Sequence, residues 1–388
     1  MSELARFRRY ARRVRKLVAP GSKSPDVLPG LRRLSDKGPL LPNLKTLCLQ
    51  PITADFTRNI LSCLRCPDLQ HIRFQRTPRD PVIIAAVSEF VLSANRSALW
   101  TIDVDSPLTE EALEAIRNLP NLHELSMVIK RDVPPPSLLL PALTHLRVVY
   151  DEEEDCLRMF RGATLEKLLS VRFTPQSEQI GDFLGAFEEV ALAASVQNTL
   201  SSFRIDTRRS WNPVFSPLLS FKQMKHLAVR FPCDDGCSSR VDDDAVINLA
   251  QAMPKLEFLQ LGAEPCRIAA GVTVKGLAAL AHHCPNLSGL CVHFRVASFG
   301  APSAIVRATR FVGPRTIRRD CALTDLTVGD TRIPEESVAI VALTLTRMFP
   351  RINNIDYNVP RWRDVGSLIY HSRKLADFSG KEGRFVEW

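Results

Sequence analysis

The sequence predicts an α/β fold, a solenoid in which about thirteen irregular strand–helix repeats build a curved parallel sheet. Nearly the same nine residues recur, as LPNLKTLCL at Leu41–Leu49, LPNLHELSM at Leu119–Met127 and CPNLSGLCV at Cys284–Val292. A Leu-x-x-Leu-x-Leu pattern continues between these copies, and stretches with helical periodicity separate its occurrences. Repetition over most of the 388 residues favours stacked units over a few independent domains.

Each copy of the pattern predicts one strand. In Leu-x-Leu, alternate side chains point to opposite faces of a strand, so one face is apolar and must be covered. The copies are spaced by 21 to 36 residues. Their first positions, filled by Leu, Met or Ile, are Leu44, Leu69, Leu99, Leu122, Leu143, Leu168, Leu200, Met224, Leu256, Leu287, Leu323, Ile352 and Leu375.

The segments between the copies predict helices. TEEALEAIRNL (Thr109–Leu119) and DDDAVINLAQAM (Asp242–Met253) both carry acidic residues in the first helical turn, where the helix dipole favours them. A Pro before many copies ends the helix and leads the chain into the next strand. Neither element buries its apolar side alone, so the repeats must stack. This is a leucine-rich repeat solenoid, and its longest predicted insertion is Phe294–Asp320.

The charge divides the chain into two predicted parts, a basic helix and linker at 1–37 and the repeat domain at 38–388. Residues 1–37 hold eleven Lys or Arg and three acidic residues. They account for +8 of the net charge of +9, so the repeat domain is nearly neutral. Polyanion binding by the repeat domain is therefore not expected, and nucleic acid is not predicted as its partner.

The segment RFRRYARRVRKL (Arg6–Leu17) predicts an amphipathic helix with apolar residues on one side and arginines on the other. We expect it to cap the first repeat, because a solenoid needs a polar end. A nuclear-import or nucleic-acid-binding patch is an open alternative, and so is a mitochondrial presequence.

Composition excludes several classes of protein. No apolar run approaches the length of a membrane span, and no signal-peptide core follows Met1, so neither a membrane partner nor secretion is expected. Ten scattered cysteines in such a chain indicate reduced thiols rather than a disulfide framework. We predict a cytoplasmic or nuclear protein, or one found in both compartments.

No motif predicts catalysis, a metal site or a cofactor. Cys63 and Cys66 form C-x-x-C, but the other close pair, Cys233 and Cys237, lies many repeats away, whereas zinc needs four converging ligands. The run His282–Cys284, followed by Cys291 and His293, is interpreted as a helix end. Phosphate-binding loops and nucleophile elbows are missing from the sequence. The protein is therefore expected not to be an enzyme.

Several segments resemble one protein family. LAALAHHCPNLSGL (Leu277–Leu290) is similar to the leucine-rich repeats of F-box proteins. Arg6–Leu17 resembles the segment that follows the F-box in a family of mushroom-type fungal proteins, and Cys321–Ile333 with Phe349–Val365 resembles that family's closing repeats. The resemblance implies a substrate-recognition subunit of an SCF-type ubiquitin ligase. Only five residues precede Arg6, so no F-box is recognisable, and the ligase adaptor is expected as a partner only if an F-box lies upstream.

Basic side chains on the predicted concave face form a candidate partner-binding patch. On each strand, the residues flanking the middle apolar position point to that face. Arg147, Arg172 and Arg204 fall in one column on three consecutive strands, about 10 Å from first to last. The predicted patch comprises His145, Arg147, Arg172, Arg204, His226 and Arg230.

Such a column of guanidinium groups suits an acidic or phosphorylated segment of a protein partner. Two alternatives stay open: Glu152–Glu154 or Asp206 neutralise the arginines, or the side chains spread into solvent. The last strands carry Asp325, Asp356 and Asp377 on the same face, so the face changes from basic to acidic. Outside its complex the protein is expected to be a monomer, either as a ligase subunit or as a free-standing scaffold.

Overall fold

In the computed structural model the chain forms two compact units, Met1–Thr199 and Leu200–Trp388. The structure describes residues 3–20, 40–50, 61–64, 66–130, 136–176, 183–193, 196–207, 215–230, 241–262, 271–296, 321–329 and 331–381. The predicted boundary between residues 37 and 38, the pair Cys233 and Cys237, and most of the insertion Phe294–Asp320 lie outside these residues. The division into a basic segment and a repeat domain stays a prediction.

The first unit contains a parallel sheet, in which each described strand pairs with the next along the chain. Its strands are β1 (Lys16–Pro20), β2 (Thr46–Gln50), β3 (His71–Phe74), β4 (Thr101–Pro107), β5 (Glu124–Ile129), β6 (His145–Tyr150) and β7 (Ser170–Pro175).

The second unit repeats this arrangement, again with parallel pairing in chain order. Its described strands are β8 (Ser202–Asp206), β9 (His226–Arg230), β10 (Phe258–Leu261), β11 (Gly289–Val292), β12 (Asp325–Gly329) and β13 (Asn354–Tyr357). The predicted α/β fold of strand–helix repeats is thereby confirmed.

Helices follow most of the described strands, as is usual for the crossover connections of a parallel sheet. The described α-helices are α1 (Glu3–Ala11), α2 (Pro81–Ser93), α3 (Glu110–Arg117), α4 (Glu153–Arg158), α5 (Phe183–Ala193), α6 (Asp243–Ala252), α7 (Val274–His283), α8 (Val338–Met348) and α9 (Trp362–Lys381). Short 3₁₀ helices occur at Leu61–Leu64, Val196–Asn198, Ser216–Ser220 and Glu335–Ser337. No helix in the described ranges is long and apolar enough to cross a membrane.

The core of each unit lies between its strands and its helices. The inward side chains of the strands are buried wherever a described strand lies on both sides, as at Ile72, Leu146 and Leu259. Helices of successive repeats pack against each other, including α2 with α3 and α6 with α7. Burial of these leucine and isoleucine side chains stabilises the fold by about 1.5–3 kcal/mol each, and this burial accounts for the recurring pattern.

A repeated hydrogen bond pattern sets the register of the strands. The carbonyl oxygen of the residue before a strand accepts two amide hydrogens from the next repeat. Lys45 O accepts from Gln70 N and His71 N at 2.8 and 2.9 Å, and Gln70 O accepts from Trp100 N and Thr101 N at 2.8 and 3.0 Å. Successive repeats therefore align at the start of each strand, and side chains at equivalent positions form columns there. The register shifts further along β4 and β12, after Asp103 and after Thr327.

The prediction of a strand at Leu375 is wrong, because this residue lies within α9. Val365 and Ile369 are buried at helical spacing, and α9 packs against α8. After Leu375 the strand pattern continues only with Phe378 and Gly380, so the match was weak. Asp377 is consequently not on the strand face.

The first strand, β1, falls where the sequence predicts only a capping helix and linker. Helix α1 does form at Glu3–Ala11, but Lys16–Pro20 pairs with β2 along its whole length. Val14, Leu17 and Ala19 occupy the three apolar positions of the repeat, and the two residues smaller than leucine, Val14 and Ala19, concealed the pattern. The sheet of the first unit therefore begins one repeat earlier than predicted.

Candidate functional site

Three residues of the predicted patch lie in the first unit: His145 and Arg147 on β6, and Arg172 on β7. Along β6 the side chains alternate, with His145 and Arg147 exposed and the intervening Leu146 buried. Arg147 is the register partner of Arg172 on β7. Parallel strands lie about 4.8 Å apart, so the two guanidinium groups project from adjacent positions of one face.

The environment of Arg147 differs from that of His145. Among the described residues, no carboxylate forms an ion pair with Arg147, and Glu154 instead binds Arg161 through both oxygens at 2.6 and 3.2 Å. His145 lies 2.9 Å from Thr144 through Nδ1 and Oγ1, and its register partner on β5 is Glu124. The proposed neutralisation by Glu154 is therefore not what the structure shows at Arg147.

The remaining predicted patch residues lie in the second unit, where acidic groups accompany them. Arg204 on β8 donates from Nε to both carboxylate oxygens of Asp206, at 2.9 and 2.8 Å. Arg230 on β9 lies 3.9 Å from Asp206 and donates to Gln260 at 2.5 Å. Asp206 thus faces both arginines, as the neutralisation hypothesis anticipated for this residue.

His226 is the last predicted patch residue, and Glu257 lies beside it at 3.9 Å. Lys225 lies 2.9 Å from the same carboxylate. Its hydrogen bond lowers the pKa of Glu257, so the carboxylate stays ionised at neutral pH. His226 is itself exposed and shares this acid with a lysine.

The sheet face of the second unit is more covered than the sequence predicts. Gly289 and Cys291 point to the outward side of β11, yet every residue of β11 is buried. Gln260 on β10 is only 2% exposed and donates to Cys291 Sγ at 3.5 Å. Strands buried on both faces occur typically in parallel sheets. The open part of the face in this unit lies at β8 and β9, and again at β12 and β13.

Sequence reasoning missed an exposed aromatic pair in the first unit. The rings of Trp100 and His123 stack with centroids 4.6 Å apart, and Trp100 is 49% exposed. Each residue directly precedes a strand, one position before the residues considered for the patch. Equivalent positions form a column, so a Trp and a His at that position in successive repeats were the available signal.

A polar network next to this pair was also missed. His71 lies 3.0 Å from Thr101 through Nδ1 and Oγ1, and burial is the main cause that lowers the pKa of His71. Arg73 on β3 lies 3.8 Å from Glu124 on β5, so this ion pair reaches across the intervening strand β4. Arg73 and Glu124 occupy outward positions in two adjacent columns, because Arg73 aligns with Asp103 and Glu124 aligns with Thr101. Their pairing is therefore diagonal and depends on register.

The end of the second unit contains a cavity of about 370 Å³ between β13 and α9. Its floor includes the buried Trp362 and Ile369, and its rim includes Tyr370 and Arg373. Arg373 donates to Asn353 Oδ1 at 2.6 Å and to Pro350 O at 2.5 Å, so its guanidinium supports the turn before β13. The residues that line this cavity include no acidic side chain.

The candidate metal ligands do not come together in the described part of the chain. No group of three or more His, Cys, Asp or Glu side chains there is suited to a metal ion. Burial raises the pKa of Cys66 to about 11 and that of Cys284 to about 12, so both stay protonated thiols. Burial and the neighbouring His282 lower the pKa of His283 at the end of α7.

Comparisons with known proteins add little to this geometry. No protein family model matches the chain, and no curated protein matches it. Among solved structures it is similar to the leucine-rich repeat ectodomain of the membrane receptor kinase GASSHO1/SCHENGEN3 from Arabidopsis thaliana, in complex with CASPARIAN STRIP INTEGRITY FACTOR 2. The identity is 10% and the TM-score 0.18, over 85% of this chain and 61% of that ectodomain.

This chain therefore spans less than two thirds of the ectodomain. A likeness at this TM-score supports no argument, and the fold assignment rests on the strand order, the register and the buried leucine pattern described above.

Proposed function

We propose that the chain is a protein-interaction module whose strand face captures an acidic or phosphorylated segment of a partner. One observation carries this proposal: Arg147 and Arg172 occupy register positions on neighbouring strands. Two guanidinium groups at adjacent positions concentrate positive charge, which attracts an anion. Guanidinium groups also match the geometry of carboxylates and phosphates.

Following the family resemblance, we further propose that this module is the substrate-recognition subunit of an SCF-type ubiquitin ligase. Support comes from the segments Arg6–Leu17 and Phe349–Val365, which resemble the beginning and the end of the fungal F-box repeats. The ligase adaptor would bind through an F-box upstream of Arg6. The protein itself would carry out no chemistry and would act in the cytoplasm, the nucleus or both.

Replacement of Arg147, Arg172 and Arg204 by Ala tests the capture of a partner. In affinity purification from the source cells, the triple variant should lose the proteins that the unchanged chain recovers. Its melting temperature should change by only a few degrees, because Arg147 is exposed and the half-buried Arg204 gives up a partly solvated ion pair with Asp206. A control with Arg96→Ala, Arg351→Ala and Arg363→Ala removes the same charge from exposed positions outside the strands. Equal recovery by both variants would refute the proposed site.

Purification of the endogenous protein, followed by mass spectrometry, separates the ligase subunit from a free-standing scaffold. Recovery of the cullin-type ligase adaptor together with a substrate supports the ligase proposal. Recovery of partners without the adaptor contradicts it and favours the scaffold.

A further inference from the structure

Two arginines of the second unit are held through their Nε atoms. Arg204 directs Nε at both oxygens of Asp206, and Arg230 directs Nε at Oε1 of Gln260. Among the described residues, no acceptor forms a hydrogen bond with the Nη atoms of either side chain. Each guanidinium is therefore fixed in orientation while its two terminal groups keep their donors available.

The register brings these two side chains to one place on the sheet. Asp206 on β8 is the partner of Arg230 on β9, and Arg204 is the partner of Ala228. Ala228 is only 6% exposed, so this short side chain lies covered beside Arg204. The side chains of Arg204 and Arg230 are 31% and 43% exposed, whereas that of Asp206 is 17% exposed. The cations are accessible, and the acid lies deeper.

We infer that Arg204 and Arg230 form a preorganised anion-binding pair, and that Asp206 positions both guanidinium groups for a carboxylate or phosphate. The inference rests on the proposed function, because it specifies how the strand face recognises an acidic segment. The two Nη groups of a guanidinium present parallel donors that match two oxygens of such a group. Side chains already fixed in place lose little entropy on binding, so more of the interaction is available as affinity.

Removal of the Asp206 charge tests the inference, because the two possible roles of this residue predict opposite changes in anion affinity. Its carboxylate repels a bound anion, so electrostatics alone predicts tighter anion binding once this charge is removed. Positioning predicts the opposite, because Arg204 would exchange two charged acceptor oxygens for one neutral amide oxygen, and Arg230 would lose a nearby counter-charge. Asp206→Asn therefore separates a positioning residue from a simple counter-ion.

The experiment titrates the full chain with inorganic phosphate and, separately, with acetate, while NMR follows the arginine side-chain nitrogen signals. We expect saturable shifts at Arg204 and Arg230, and at least tenfold weaker binding in Asp206→Asn. Arg204→Lys keeps the charge but loses the paired donors, so it should also bind more weakly. Arg96→Ala removes a distant charge and should leave the binding constant unchanged.

Shifts with both anions support the pair as a receptor for acidic side chains, and shifts with phosphate alone support it as a receptor for phosphorylated ones. Equal or tighter binding by Asp206→Asn, with a normal melting temperature, would overturn the inference, as would the absence of saturable shifts in the unchanged chain. The titration needs no protein partner, so its failure is distinguishable from loss of capture in the arginine triple variant.

Discussion

At the scale of single residues, Asp243 connects two successive repeats. It lies in the first turn of α6, whose own N-cap is the neighbouring Asp242. Its carboxylate accepts hydrogen bonds from Thr273 N, Thr273 Oγ1 and Gly276 N, at 2.7, 2.6 and 3.0 Å. These amides belong to the start of α7, where backbone N–H groups have no partner within the helix. An acid in one repeat thus caps the helix of the next.

We expect Asp243→Ala to lower the free energy of unfolding by about 2 kcal/mol, because it removes a charged cap and leaves buried donors unpaired. Asp244→Ala is the matched control. It removes an adjacent acid whose side chain is 81% exposed and which lies 3.3 Å from Lys275. Its expected cost is below about 0.5 kcal/mol. Urea unfolding measures both, and equal effects would show that the cap contributes nothing.

At the scale of secondary structure elements, two glycines inside helices differ in what surrounds them. A Cβ atom added at Gly276 in α7 would lie 2.7 Å from Asp243 Oδ1 and 3.1 Å from Val272 Cγ1. At Gly366 in α9 nothing lies within 4 Å of an added Cβ, because this residue borders the cavity next to β13. Helix propensity favours Ala at both positions, so packing decides the outcome.

Gly366→Ala should raise the free energy of unfolding by about 0.5–1 kcal/mol, since it only removes the entropic cost of a helical glycine. Gly276→Ala should lower it by about 1–3 kcal/mol, because Asp243 must give up its hydrogen bonds to make room. Thermal and urea unfolding of the two variants supply the comparison. A stabilising Gly276→Ala would mean that the contact with Asp243 is looser than the structure indicates.

At the scale of the whole molecule, buried protonated groups in both units make stability depend on alkaline pH. Burial raises the pKa of Cys284 to about 12, and it also raises the pKa of Cys156 and Tyr150. The ordinary thiol pKa is 9.0. Above that pH the unfolded chain loses these protons while the folded chain keeps them, so stability decreases as pH rises.

The unfolding free energy should therefore be independent of these groups below about pH 8 and fall between about pH 9 and 12. Each buried thiol contributes about 1.4 kcal/mol per pH unit in that window. Urea unfolding at pH 8 and pH 10 tests the slope. Cys284→Ala should reduce the dependence of the unfolding free energy on pH by the contribution of one thiol. An unchanged slope would mean that Cys284 ionises freely in the folded state.

The sequence alone determined where the strands β2 to β13 lie, because the period-two pattern of leucines is local and each copy must bury one face. It also predicted helices within Thr109–Leu119 and Asp242–Met253, from helical periodicity and acids in the first turn, and the structure has them at Glu110–Arg117 and Asp243–Ala252. The pattern failed at Leu375, where a weak match lay inside a longer helical period, and at β1, where Val14 and Ala19 replace two of the three leucines.

The columns of the candidate patch were also predictable, since register follows from aligned repeats. Whether each arginine forms an ion pair was not predictable. Arg204 pairs with Asp206, whereas no acid among the described residues forms an ion pair with Arg147. Two other contacts join residues that are far apart in the chain: Trp100 stacks on His123, and Asp243 caps α7. In addition, both faces of β11 are covered by other parts of the fold. Only the tertiary structure decides such contacts, because side-chain distances and solvent access between repeats are not encoded in the local periodicity.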